Sequence, residues 1–124
     1  RSRMKGPPLY LDVEKAEAVL KQFQETAAYR GWKLLAVSIM FNHFHLVVEV
    51  AGDPEPGKVL GDFKAYATRI LNRLYGRPPS ETWWTAEGSK RKLRDEKARA
   101  DGIHYVLKKQ PNPSVVWEPG EPVA

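Results

Sequence analysis

The chain contains no cysteine. Disulfides, thiolate chemistry and cysteine-type zinc sites are therefore excluded, and such a composition fits a reducing cytoplasm. No apolar run approaches the roughly 20 residues that a membrane-spanning helix requires, so no membrane partner is expected. Acidic residues are the minority: 15 Asp and Glu stand against 20 Lys and Arg, a net charge of +5. A basic excess favours an acidic partner, most commonly nucleic acid. The 124 residues, 42% hydrophobic and 28% charged, suit one globular domain covering 1–124. The chain opens on RSRMKG and not on methionine, which leaves room for a segment upstream.

Hydrophobic spacing divides the chain into alternating elements. Asp12 is a candidate cap, and Val13, Ala16, Leu20, Phe23 and Ala27 recur at steps of three and four, predicting a helix that ends near Gly31. WKLLAVSIM (32–40) and NHFHLVVEV (42–50) read as strands, with Phe41-Asn42 as the break between them. AGDPEPG (51–57) is a loop by composition. A long helix follows from about Lys58 to Tyr75, with Val59, Phe63, Ile70 and Leu74 as its core face. ETWWTAEGSKRKL (81–93) reads as a strand with a turn at Gly88. DEKARADGIHYVLKKQ (95–110) reads as a helix, acidic in its first turn and basic in its last, although Gly102 weakens it. Val115 to Trp117 close as a short strand, and a further strand is expected at residues 1–6 or upstream of them. Helices alternating with antiparallel strands predict an α+β fold, a central sheet with helices covering one or both faces.

The stretch MFNHFHLVVEV (40–50) carries the chemistry. Residues i and i+2 of a strand share a face, so His43 and His45 point together while Phe44 points into the opposite layer. Two adjacent imidazoles repel when both are protonated, and sharing a divalent cation removes that conflict. The plainer alternative is a pair of half-buried histidines satisfied by the backbone. Two histidines do not complete a metal site; without cysteine, a third ligand comes from Asp, Glu, Gln or His104. Near the C-terminus stand His104, Tyr105 and Gln110. A phenol serves as a nucleophile when a metal polarises the group it attacks. The competing reading of Tyr105 is a core or rim aromatic.

MFNHFHLVVEV resembles the signature of the HUH single-tyrosine transposases, and in particular of the REP-associated tyrosine transposases: an apolar residue, then Asn-His-hydrophobic-His, then an apolar strand. IHYVLKKQPNP (103–113) resembles the family's second motif, a tyrosine on a late helix followed by a polar stretch and Asn-Pro. WWTAEGSKRKL (83–93) is similar to the segment that precedes that helix, and the resemblance runs from about Leu9 to Trp117. It implies a ferredoxin-like α+β sandwich with both histidines on a central strand. It also implies His43 and His45 as metal ligands, Tyr105 as the nucleophile and Mg²⁺ or Mn²⁺ as the cofactor. The implied reaction cuts single-stranded DNA at the foot of a hairpin, leaving a 5′-phosphotyrosine link and a free 3′-hydroxyl, and reversal onto another strand joins DNA. Related sequences place a glutamine ligand four residues after the tyrosine. Here that position is Lys109, and the glutamine is Gln110. Either the helix loosens before Pro111 and brings Gln110 round, or the third ligand is another group. Family members act as monomers or as dimers that exchange the tyrosine helix, and a homodimer here stays open.

The charge excess lies in the second half: twelve Lys and Arg against five Asp and Glu between Lys64 and Lys109. Lys64, Arg69 and Arg73 lie on the long helix, and Lys90, Arg91, Lys92 and Arg94 crowd the turn before the last one. With Tyr66, Trp83 and Trp84 interleaved, these residues are candidate contacts to single-stranded DNA, cations for phosphates and rings for bases. The competing assignment is a solvated helix face over core tryptophans; in a strand Trp83 and Trp84 point opposite ways, so at least one is expected in the core. Three functions therefore compete. The first is a single-tyrosine transposase or repeat-processing nuclease, and the second a non-catalytic single-strand-binding module on the same fold. The third, a histidine-metal hydrolase of small molecules, leaves the basic surface without a use.

Overall fold

A computed structural model describes residues 11–84, 92–93 and 95–120. Its elements are α1 (Val13–Arg30), β1 (Lys33–Ile39), β2 (Phe44–Glu49), α2 (Pro56–Tyr75), α3 (Glu96–Lys108) and β3 (Val115–Trp117). The three strands form one antiparallel sheet in the order β2-β1-β3. This is the expected α+β class, an antiparallel sheet with helices packed on it, consistent with a ferredoxin-like sandwich. The strand expected at residues 1–6 lies outside the described residues.

Local chemistry sets the helix ends. Asp12 caps α1 by accepting from the Lys15 backbone N–H at 2.9 Å, and that bond holds its carboxyl below the usual carboxylate range. Gly31 ends α1 with a left-handed φ of 77°, a conformation that costs a side-chain-bearing residue more. Asp95 caps α3 through the Ala98 N–H at 2.8 Å. Gly102 does not break α3. A Cβ there would stand 2.8 Å from Leu93 Cδ1, so its absence lets the segment before the helix pack close beneath it.

The sheet has two unlike faces. Val37, Ile39, Phe44, Leu46 and Val48 face α1 and α2 and join Phe23, Phe63 and Leu71 in the main core. Ala36 and Val47 face α3 and bury Val106. A register shift between Leu34 and Ala36 inserts one extra residue into β1. Leu35 and Ala36 consequently both pack on the α3 side, while Leu34 stays in the main core.

Two expectations are corrected. The core face of α2 is Val59, Phe63, Ala67 and Leu71, a strict four-residue repeat, and Leu74 is 55% exposed. The strand expected over residues 81–93 is not found at 81–84 or 92–93, and 85–91 lie outside the described residues. The physical reason is local bonding that competes with a ladder. Ser80 Oγ donates to the Thr82 carbonyl at 2.8 Å, and the Trp84 N–H donates to Thr82 Oγ1 at 3.2 Å. Both tryptophans then turn to α2: Trp83 Nε1 donates to Asn72 Oδ1 and Trp84 Nε1 to Thr68 Oγ1, each at 2.9 Å.

Candidate active site

His43 ends the tight turn between β1 and β2, where the Met40 N–H donates to the His43 carbonyl at 2.8 Å. Two residues on, His45 pairs with Ser38 of β1. The two rings stand 5.4 Å apart, centroid to centroid, and perpendicular. They lie on the α3 side of the sheet, and Phe44 between them packs edge-on against Phe23 at 4.8 Å on the other side. Strand alternation thus places the imidazoles together, as the sequence predicts.

Tyr105 completes the group. It is carried by α3, and its ring meets the His45 ring at 5.8 Å, again edge to face. The neighbouring Val106 is buried against Val47 and Ala36. This anchors the helix turn and leaves the Tyr105 ring 52% exposed, with one edge toward the histidines.

Burial, and secondarily the charge of His43, pushes the His45 pKa below that of an ordinary histidine. Burial thus favours the neutral form of His45, the form in which imidazole coordinates a metal. The His43 Nδ1 lies 2.7 Å from Asn42 Oδ1. In the sequence Asn42 reads only as a strand break, and an amide immediately before a histidine was the available signal for this contact.

Gln110 lies just past the end of α3. Its Nε2 donates to the Tyr105 carbonyl at 3.3 Å, so the amide oxygen Oε1 is the atom of this side chain that could ligate a metal. The Lys109 N–H donates to the same carbonyl at 3.1 Å, so the last turn of α3 is tied at the tyrosine itself. His104 is exposed on the same helix. No cluster of three His, Cys, Asp or Glu suited to a metal occurs among the described residues. Among the described residues, a set built on His43 and His45 would need donors of another residue type, water or the substrate to complete it.

The basic candidates are dispersed. Lys64, Arg69 and Arg73 lie on α2, and the Arg69 guanidinium sits 4.9 Å from the Tyr66 ring centroid. Lys92 pairs with Asp53 at 3.0 Å. Lys90, Arg91 and Arg94 lie outside the described residues. Trp83 is buried in the main core, as expected of at least one of the pair. Trp84 is half-buried and edge-on to Phe44 at 5.3 Å. A groove of about 530 Å³ runs along the outer edge of β2 from His45 past Glu49, Lys92 and Arg99. Arg99 pairs with Glu49 at 3.1 Å, so both described cations of the groove lie in exposed ion pairs.

The family model described as "Transposase IS200 like" matches residues 9–90, and the chain belongs to that family. Membership makes it a protein of the DNA-processing kind, with DNA as its partner. The match includes both histidines and ends before Tyr105. Neither the curated proteins nor the solved structures give a match. No helix among the described residues is long and apolar enough to cross a membrane.

Proposed function

We propose that the chain cuts and rejoins single-stranded DNA through Tyr105, as a cytoplasmic transposase or repeat-processing nuclease similar to the REP-associated tyrosine transposases. One observation carries this reading. The rings of His43, His45 and Tyr105, from two elements about 60 residues apart in sequence, converge at centroid distances of 5.4 and 5.8 Å. Apolar packing alone does not call for that arrangement.

His43 and His45, with Gln110 Oε1 as the third protein donor, would hold a divalent cation, Mg²⁺ or Mn²⁺, which when bound would supply counter-charge to the scissile phosphate. A free phenol has a pKa near 10 and is a weak nucleophile at neutral pH, so it depends on that electrostatic help. Tyr105 Oη forms a bond to phosphorus and loses its proton. The bond from phosphorus to the 3′-oxygen breaks, and the departing oxygen takes up a proton as a 3′-hydroxyl. The product is a 5′-phosphotyrosine, and attack by another 3′-hydroxyl reverses the step and joins strands without ATP. Lys64, Arg69, Arg73, Lys90, Arg91 and Lys92 are the proposed phosphate contacts, with a DNA hairpin presenting the cut site.

The test uses end-labelled single-stranded hairpins with Mn²⁺ or Mg²⁺, resolved on a denaturing gel. A slow-migrating covalent adduct that requires the metal, His43 and Tyr105 is expected. Salt-dependent binding with no adduct on any substrate replaces this reading with a second one, a single-strand-binding module on the same fold. Lys109 at the expected ligand position, and the engagement of the Gln110 amide by the backbone, support that second reading.

A further inference from the structure

We propose that Asn42 is a positioning residue that sets the tautomer of His43, an inference that rests on the metal-binding role proposed for that ring. The Asn42 side-chain oxygen stands 2.7 Å from His43 Nδ1. An amide oxygen only accepts, so Nδ1 carries the hydrogen and the lone pair of the neutral ring is on Nε2. In water the imidazole proton prefers Nε2, the nitrogen farther from the backbone. Asn42 reverses that preference and bares the outer nitrogen, the one with the longer reach from the strand toward a cation.

The geometry makes this bond a durable constraint. Asn42 is in the turn between β1 and β2, and the His43 main chain is pinned by the Met40 N–H at 2.8 Å. Donor and acceptor are adjacent in sequence on a backbone fixed at both ends, so keeping them together costs little additional entropy. His45 is set differently. Among the described residues it makes no side-chain hydrogen bond, and its ring is oriented by edge contacts to His43 and Tyr105. One imidazole is thus set by a hydrogen bond and the other by packing. The first acts as the fixed member, and the second adjusts to whatever enters.

The experiment reads the tautomer directly in metal-free, ¹⁵N-labelled protein. Long-range ¹H–¹⁵N correlation at about pH 8, where histidine is neutral, distinguishes the two forms. The expected wild-type result is Nδ1–H at His43. Asn42→Ala shifts the ring toward Nε2–H, and Asn42→Asp, which keeps an acceptor, retains Nδ1–H. In calorimetry the Asn42→Ala protein binds Mn²⁺ about 10- to 100-fold more weakly, the usual effect of losing a group that orients a metal ligand. The Asn42→Asp protein retains the wild-type Mn²⁺ affinity, which separates positioning from general destabilisation. An Nε2–H tautomer in the wild type overturns the proposal without any variant; so does a tautomer or Mn²⁺ affinity that Asn42→Ala leaves unchanged. The tautomer readout needs neither DNA nor metal. A protein with the expected tautomer that fails to cut DNA overturns the nuclease reading alone.

Discussion

The two faces of the sheet divide the work of the molecule. Toward α1 and α2 the contacts are large and apolar: Phe23 packs on Phe44 at 4.8 Å and on Phe63 at 5.3 Å, and Trp84 closes over Phe44. Toward α3 the buried apolar cluster is the smaller Ala36, Val47 and Val106, with Leu35, Leu93, Ile103 and Leu107 partly buried around it, and the same side carries the His45–Tyr105 ring contact. Burial on the first face supplies most of the stability. The second face holds polar rings at fixed spacing at a modest cost, because the first face keeps the strand beneath them rigid. Phe44 links the two, since the residue that anchors the strand in the core lies between the histidines.

This division is open to direct attack. The largest effect belongs to Tyr105→Phe, which should lower strand cleavage by at least about 10³-fold, the scale of losing an enzyme nucleophile. Its unfolding midpoint should stay within error of the wild type, because the hydroxyl belongs to a half-exposed ring. A large stability loss would instead make Tyr105 a structural residue. Next, Phe63→Ala should cost about 3–5 kcal/mol in urea unfolding, while Val106→Ala on the thin face should cost only about 2 kcal/mol. Equal costs would erase the distinction between the faces. Asp95→Ala removes the cap of α3 and should cost about 1 kcal/mol, and because α3 carries Tyr105, cleavage should fall with it. The smallest effect is a pH dependence. The folded-state pKa of His45 is lowered, first by burial and then by His43, while an unfolded histidine titrates near 6.5. The folded state therefore binds this proton less readily, and stability falls as pH drops below about 6.5 toward the folded pKa. Urea midpoints taken from about pH 7.5 to 5 should show a shallower slope in His45→Gln.

Much of this was legible in the residues. The alternation of β2 and the four-residue steps of α1 are direct consequences of one buried face, so strand, helix and the shared orientation of His43 and His45 follow from spacing alone. What spacing does not carry is bonding between distant elements. Residues 81–84 look like a strand because tryptophan and threonine favour one. The two indole N–H groups, however, find acceptors one turn apart on α2, at Asn72 and Thr68, and local hydroxyl bonds hold the chain out of a ladder. Helical spacing alone puts Leu74 in the core, yet it is 55% exposed, and the last turn of α2 meets α1 through Tyr75, whose hydroxyl donates to Glu14 at 3.3 Å. Within the site, the proximity of Tyr105 to His45 depends on how α3 crosses the sheet, which resemblance implies but periodicity does not. Asn42 was hidden for a simpler reason: an asparagine in a turn has a sufficient local explanation, and only the distance to His43 gives it another.

The connection from α3 to β3 sets a limit on motion. Lys108 ends the helix and Val115 begins the strand, so seven peptide links join them, a leash of about 25 Å when fully drawn out. The far end of the leash is fastened twice: the Ser114 N–H donates to the Ile39 carbonyl at 2.8 Å, and Ser114 Oγ donates to the Leu11 carbonyl at 2.9 Å. While those knots hold, Tyr105 travels only within a sphere centred on its own sheet. An exchange of the tyrosine helix between two copies must therefore either fit inside that radius or first strip β3 from β1.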